Sequence, residues 1–545
     1  MPMHRFQCLL ASLTLLALPV LADEPPHPRL LVTIVVDQYS ADLFNEYRPL
    51  YRHGLARLAG GVVFSRGHQS HAGTETCPGH STILTGARPG RTGIIANEWQ
   101  DPKLRRLENG RDTFLVYCVE KPGEAGSDAD NKVVSPQFLR VPTLGDRLKS
   151  VDADSRVVSV SGKDRSAVML GGRKADITLW WTKSGFVTYA GMESSIPAKV
   201  SGKVNQEVRN SFAQATEPKL PPQCVTRSRD VEINKELKLS VGVLRPTKAN
   251  SLRWRATPAL DSFTVDAALA AVEKLQLGKR KSIDLLAVSL SATDYVGHSF
   301  GTEGAEMCAQ QLALDKTIGR LLAELDKTKV SYVVALTADH GGLDVTERNQ
   351  QRGITTAEYV DANLLPKKVS AALADELGLT GDVILGKVFA NDIYFSASIP
   401  ASKRAAVLEA AKRIYLSRRQ VEAVFTKNEL IAAAAPVGPA DGWTLLERSK
   451  ASFDPERSGE LIVLLKPYVT MYERASAPEA YVASHGSPWS YDRRVPIVFW
   501  WKGVTGFEQP AAVETVDIAP TLASFVGLDI PANEIDGRAL SVVAR

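Results

Sequence analysis

Long apolar runs are missing from this chain beyond its first 22 residues, and no later stretch is apolar enough to form a membrane-spanning helix. A large excess of one charge is missing too. The 65 lysines and arginines nearly balance the 61 aspartates and glutamates, leaving +4. No basic cluster supplies the footprint that nucleic-acid binding requires. Internal repeats and low-complexity tracts do not occur, which sets aside stacked-repeat architectures. Cysteine is sparse, five in 545 residues, too few for a scaffold held together by disulfides. Histidine is scarce as well, nine in all, so the places where it falls carry weight.

What is present is the composition of a soluble globular protein, 44% hydrophobic and 23% charged. The N-terminus reads as a secretory leader over residues 1–22. Arg5 precedes the mostly apolar Cys8–Val20, and small residues place cleavage after Ala22. The mature chain, 23–545, is expected in the periplasm or outside the cell, with no stable membrane insertion. It keeps Cys77, Cys118, Cys224 and Cys308, which an oxidising compartment allows to pair in three full ways. Cys77 reads as a poor bridge candidate because it adjoins the candidate nucleophile Thr76. As a nucleophile itself it ranks below Thr76, since no partner lies at a telling spacing.

The organising stretch is Thr74-Glu75-Thr76-Cys77-Pro78-Gly79-His80, running into an apolar helix pattern. Pro78 suits a first helical turn. Thr76 then sits at the helix N-terminus, either as a simple cap or as a hydroxyl at an anion-binding end. Four runs, ending near Val36, Ser161, Leu290 and Leu336, read as strands buried on both faces of a parallel sheet. Ligands bind beyond the carboxyl ends of such strands. There the sequence delivers Asp37, then Lys163-Asp164-Arg165, then Asp294-x-x-x-His298, then Asp339-His340-Gly341. Lys163 and Arg165, two apart, share a face of an extended segment, and two cations suit a dianion. Asp294 and His298 share a face of a helix. His485 lies in a later Gly-containing loop, and Asn97 in a turn-rich one. The aspartates and histidines supply ligands for two sites of the kind that zinc occupies. His80 is assigned to packing or to supporting work. His27, His53, His68 and His71 receive no role.

These pieces, with Thr-Cys-Pro-Gly-His at 76–80 and Gly-Ile-Ile-Ala-Asn at 93–97, resemble the alkaline phosphatase superfamily, in the subgroup with a threonine nucleophile. The resemblance spans nearly the whole mature chain in the family's order. It implies an α/β fold with a central, mostly parallel sheet flanked by helices. The core would cover about 29–170, 266–342 and 481–545, with insertions at about 171–265 and 343–480. It implies two zinc ions, one held by Asp37, Thr76, Asp339 and His340, the other by Asp294, His298 and His485. Lys163-x-Arg165 resembles the pair of the phosphate-irrepressible type, where it and the residue matched by Asn97 hold the phosphoryl oxygens. The implied activity is hydrolysis of small phosphate monoesters through a phosphothreonine. The rival readings are a phosphodiesterase or nucleotide pyrophosphatase with the same metals, and a non-catalytic zinc or phosphate binder, which would need no nucleophile. A sulfatase is set aside. Its modified cysteine sits in Cys-x-Pro-x-Arg, whereas Cys77 is followed directly by Pro78.

Overall fold

The computed structural model describes residues 27–104, 106–108, 111–121, 133–192, 195–212, 218–246 and 252–542. The leader expected at 1–22 lies outside them. Nine strands form the main sheet: β1 (Leu30–Val36), β2 (Val62–His68), β3 (Val157–Ser161), β4 (Ile177–Thr182), β5 (Gly185–Val187), β6 (Asp284–Leu290), β7 (Tyr332–Thr337), β8 (Arg494–Trp501) and β9 (Phe507–Glu514). Their order across the sheet is β9-β2-β8-β7-β1-β6-β3-β4-β5. The run from β4 through β3, β6 and β1 to β7 is parallel. β8 is antiparallel to both its neighbours, and β5 returns antiparallel on β4.

β1 sits at the centre with all seven residues buried. Its side chains alternate between faces, as strand geometry demands. Leu30, Val32, Ile34 and Val36 enter one core, and Leu31 and Val35 the other. Each such side chain contributes roughly 1.5–3 kcal/mol when fully removed from water. Helices cover both faces. In chain order they include α1 (Thr76–Thr85), α2 (Asp164–Gly171), α3 (Pro258–Leu275), α4 (Ala292–Phe300) and α5 (Gly304–Lys327). Leu314, Ile318, Leu321, Leu322 and Leu325 of α5 are buried at the 3.6-residue period that the sequence displays.

Two parts take their place from pairing that local sequence does not show. The β4–β5 hairpin, within the stretch expected as an insertion from about 171, pairs onto β3 and extends the main sheet. Its inner residues, Ile177 and Leu179, bury against the same core as β1. The second is β9, whose last two residues, Val513 and Glu514, open a stretch to Val526 whose pattern alone suits a helix. Pairing with β2 holds it as a strand to Glu514, and the helix begins only at Ile518. Between β7 and β8, the strands Asp392–Ile393, Val421–Thr426 and Leu461–Leu465 make a separate three-stranded sheet. It shares a core with helices Pro366–Leu377 and Arg404–Leu416.

Candidate active site

The carboxyl ends of β1, β3, β6 and β7 open toward one region, and the loops that leave them carry the candidate residues. Asp37 follows β1. The next residue, Gln38, takes a left-handed backbone (φ 61°), a strained choice for a non-glycine residue that is typical of functional turns. Its N–H donates to Asp339 Oδ1 at 3.1 Å, tying the β1 end to the β7 end.

Thr76 is the first residue of α1, and its cap is Glu75. The Thr76 hydroxyl is therefore not engaged in capping. The helix end is also not a set of free amides. Pro78 has no N–H, and the Cys77 N–H is given to Asn97 Oδ1 at 2.8 Å. What reaches Thr76 Oγ1 instead is cationic: Lys163 Nζ at 3.4 Å and Arg165 Nη2 at 3.5 Å. These two do not share the face of an extended segment as the sequence spacing implied. Lys163 is the extended cap of α2 and Arg165 lies in its first turn. The dipole of that helix end adds positive potential, partly offset by Asp164.

α1 packs so closely on the β7 end that a side chain at Gly79 has no room. A Cβ there would lie 2.2 Å from the Asp339 carbonyl oxygen. Gly79→Ala is expected to cost about 1–3 kcal/mol in stability through overpacking and to lower turnover, because Thr76 and Asp339 are displaced together. Thermal unfolding and a turnover assay check this. Wild-type values for both would contradict the close approach.

Around Thr76 the structure gathers Asp37, Asp294, Asp339, His298, His340 and His485. Two groups of potential ligand atoms lie mutually within 4.8 Å: Asp37 with Asp339 and His340, and Asp294 with His340 and His485. His298 joins the second group through Asp294, Nε2 to Oδ1 being 3.3 Å. His340 and His485 are stacked, ring centroids 3.6 Å apart.

The protonation pattern bears on what fits there. His298, His340 and His485 each donate Nδ1–H to a backbone carbonyl, of Ala483 (2.9 Å), Gly341 (2.8 Å) and Thr74 (2.8 Å). Burial holds the pKa of His340 below the ordinary value, and burial together with His340 and His298 holds that of His485 well below it. In the neutral form, Nε2 carries only a lone pair. Yet Nε2 of His340 faces Asp37 Oδ1 at 3.6 Å and Nε2 of His485 faces Asp294 Oδ1 at 3.6 Å. His340 Nε2, Asp37 Oδ1 and Asp294 Oδ1 are buried without hydrogen-bond partners. Acceptors facing acceptors repel unless a cation lies between them. Two ligands bound at about 2.0 Å on one tetrahedral metal stand about 3.3 Å apart, close to these separations. Backbone-anchored imidazoles are also the usual support of metal sites. The residues fit metal ions.

Lys163 links the two groups, with Nζ 2.6 Å from Asp294 Oδ2 and 2.8 Å from Asp37 Oδ2. Burial opposes its charge, but Asp294 and Asp37 raise its pKa above that of an ordinary lysine. Asp294 is held well below the carboxylate range, burial being outweighed by Lys163 and His298. His80 supports the site, Nδ1 lying 3.0 Å from Asp339 Oδ2 and Nε2 2.9 Å from Ser289 Oγ.

The cysteines correct the sequence reading. Cys77 is bonded to Cys118, and Cys224 to Cys308. Adjacency to Thr76 does not prevent the bridge, because side chains of neighbouring helical residues diverge and the Cys77 side chain turns into a buried cluster with Trp99 and Val116. Sequence spacing also gave no sign of Glu75, whose carboxylate accepts the Asn97 N–H at 2.7 Å. Nor did it mark Tyr481, stacked on His298 at 4.5 Å.

Comparison with known proteins agrees with this geometry. The family described as type I phosphodiesterase / nucleotide pyrophosphatase matches residues 31–488. The chain is 46% identical to alkaline phosphatase PhoK of Sphingomonas sp, over 95% of this chain and 91% of that one. It is 45% identical to alkaline phosphatase PhoD of Zymomonas mobilis, over 94% and 88%. The crystal structure of alkaline phosphatase PafA, a protein known from Elizabethkingia meningoseptica, superposes with a TM-score of 0.79 at 25% identity, over 95% of this chain and 99% of that one. On its sequence, its fold and the residues gathered at its sheet edge, the chain belongs to the type I phosphodiesterase / nucleotide pyrophosphatase family of the alkaline phosphatase superfamily.

Proposed function

We propose that this protein is an alkaline phosphatase that hydrolyses phosphate monoesters in two steps, with Thr76 as nucleophile and a phosphothreonine between them. The observation that carries this reading is the convergence of Lys163 and Arg165 on the Thr76 hydroxyl. Two cations there lower the cost of negative charge on Oγ1 and face the place where a phosphoryl dianion must sit. Arg165 grips phosphoryl oxygens through its planar fork. Asn97 adds its amide NH2, since its side-chain oxygen is occupied by the Cys77 N–H.

Asp37, Thr76, Asp339 and His340 would hold one zinc ion, and Asp294, His298 and His485 a second. Zinc bound there supplies Lewis-acid stabilisation of the attacking and leaving oxygens and deprotonation near neutral pH. The chain's own part is to aim the three imidazoles through their backbone carbonyls, to keep His340 and His485 neutral by burial, and to hold Thr76 at the head of α1. The catalytic unit is residues 23–545 after loss of the leader, in the periplasm or outside the cell. The two disulfides support an oxidising compartment. Among the described residues no helix is long and apolar enough to cross a membrane.

The test is turnover of a chromogenic phosphate monoester together with metal analysis. Active protein is expected to carry about two zinc ions per chain. A chelator is expected to abolish turnover, and added zinc to restore it. Full activity in metal-free protein would contradict the two-zinc site.

A further inference from the structure

Asn97 lies on a loop, yet three of its four polar groups are taken by fixed partners. Its N–H donates to Glu75 Oε2 at 2.7 Å. Its side-chain oxygen accepts the Cys77 N–H at 2.8 Å. Its backbone carbonyl accepts the Cys118 N–H at 2.9 Å. Cys77 and Cys118 are themselves joined by a disulfide. The partners thus flank Thr76 on both sides in sequence, and the third is bonded covalently to one of them. A backbone N–H can meet only the oxygen of the amide, so the contact from Cys77 also fixes which way the Asn97 side chain is turned. Its NH2 is left without a hydrogen-bond partner among the described residues.

We propose that Glu75 and the Cys77–Cys118 disulfide are positioning elements that lock the Asn97 NH2 in register with the Thr76 hydroxyl, so that nucleophile and phosphoryl-oxygen donor form one rigid unit. This rests on the assignment of Asn97 to the phosphoryl group. A loop asparagine free to rotate would lose part of its contribution to entropy on each turnover, and donors fixed in advance are worth more in the transition state than donors ordered during it. Three contacts converging on one residue, one of them made on each side of a covalent bridge, remove that freedom.

The test is a double-mutant cycle on the zinc-loaded enzyme, reading kcat/KM for a phosphate monoester. Glu75→Ala is expected to lower it about tenfold or more, and Glu75→Gln to restore most of it, because the amide oxygen still accepts the Asn97 N–H. Cys77→Ser with Cys118→Ser is expected to lose activity similarly, whereas Cys224→Ser with Cys308→Ser leaves it unchanged. The decisive arm is the Asn97→Ala background. There, Glu75→Ala is expected to have almost no further effect, since coupled residues do not add. An equal loss from Glu75→Ala in both backgrounds overturns the positioning role, and it does so even if the cysteine variant fails to fold. An Asn97→Ala enzyme with wild-type kcat/KM overturns the assignment of Asn97 itself, a separate result.

Discussion

Thr76→Ala is expected to abolish nearly all turnover of phosphate monoesters while leaving the fold intact. The side chain is small, it makes no capping bond, and α1 keeps Glu75 as its cap. Little stability therefore depends on the hydroxyl. In the proposed mechanism chemistry depends on it wholly, because without Oγ1 no phosphothreonine forms and the two-step path closes. A loss of about a thousandfold or more is expected, ~4 kcal/mol at ~1.4 kcal/mol per tenfold. Thr76→Ser keeps a hydroxyl and should retain part of the rate. Its extra rotamer freedom, with the β-methyl gone, predicts less than the full rate. Acid quench of wild-type enzyme with labelled substrate, followed by peptide mapping, checks for phosphate on Thr76. Near-wild-type turnover by Thr76→Ala would place the nucleophile elsewhere.

Loss of Lys163 and Arg165 together is expected to cost monoester turnover orders of magnitude and diester turnover far less. A monoester is a dianion with three non-bridging oxygens. A diester has one negative charge and a second carbon group where one of those oxygens would be. Each well-made charged contact in such a site contributes roughly 2–4 kcal/mol in the transition state. The two residues are not equivalent, however. Lys163 also pairs with Asp37 and Asp294, and removing it leaves two buried carboxylates less compensated. Arg165 makes no ion pair with Asp37, Asp294 or Asp339, and its Nε is buried without a partner. Arg165→Ala alone is therefore the cleaner variant. It should lower kcat/KM for monoesters by about thirtyfold or more with unchanged zinc content. The Lys163→Ala, Arg165→Ala double variant reads the full effect. Equal losses for both esters would make the pair a general support of the site, and the phosphodiesterase reading would regain ground.

The sequence shows which residues meet at this sheet edge because most of them lie at the ends of strands that announce themselves. β1, β6 and β7 are apolar on both faces, so each stands out as a short continuous apolar run, and the polar residues just after them are placed by topology alone. Asp294 and His298 follow because one helical turn is a fixed distance. What the sequence hides depends on partners far along the chain. β9 shows no strand pattern of its own, and only its pairing with β2 makes it a strand. The Lys163–Arg165 geometry is set by where α2 begins, and one residue of shift at a helix cap reorients both side chains. Cys77 looks unavailable because sequence shows its neighbour and not the direction of its side chain. Glu75 is silent for the same reason. Nothing local shows that the residue preceding Thr76 reaches across to a loop 22 positions away.

The most direct measurement is kcat/KM of the wild-type enzyme, assayed with zinc added, for a phosphate monoester, the matching diester and the matching sulfate ester of one alcohol. The convergence of Lys163 and Arg165 on Thr76 predicts the monoester first, by orders of magnitude, with that lead collapsing when both cations are removed. A wild-type enzyme that prefers the diester or the sulfate ester would contradict the assignment of this site to phosphate monoesters.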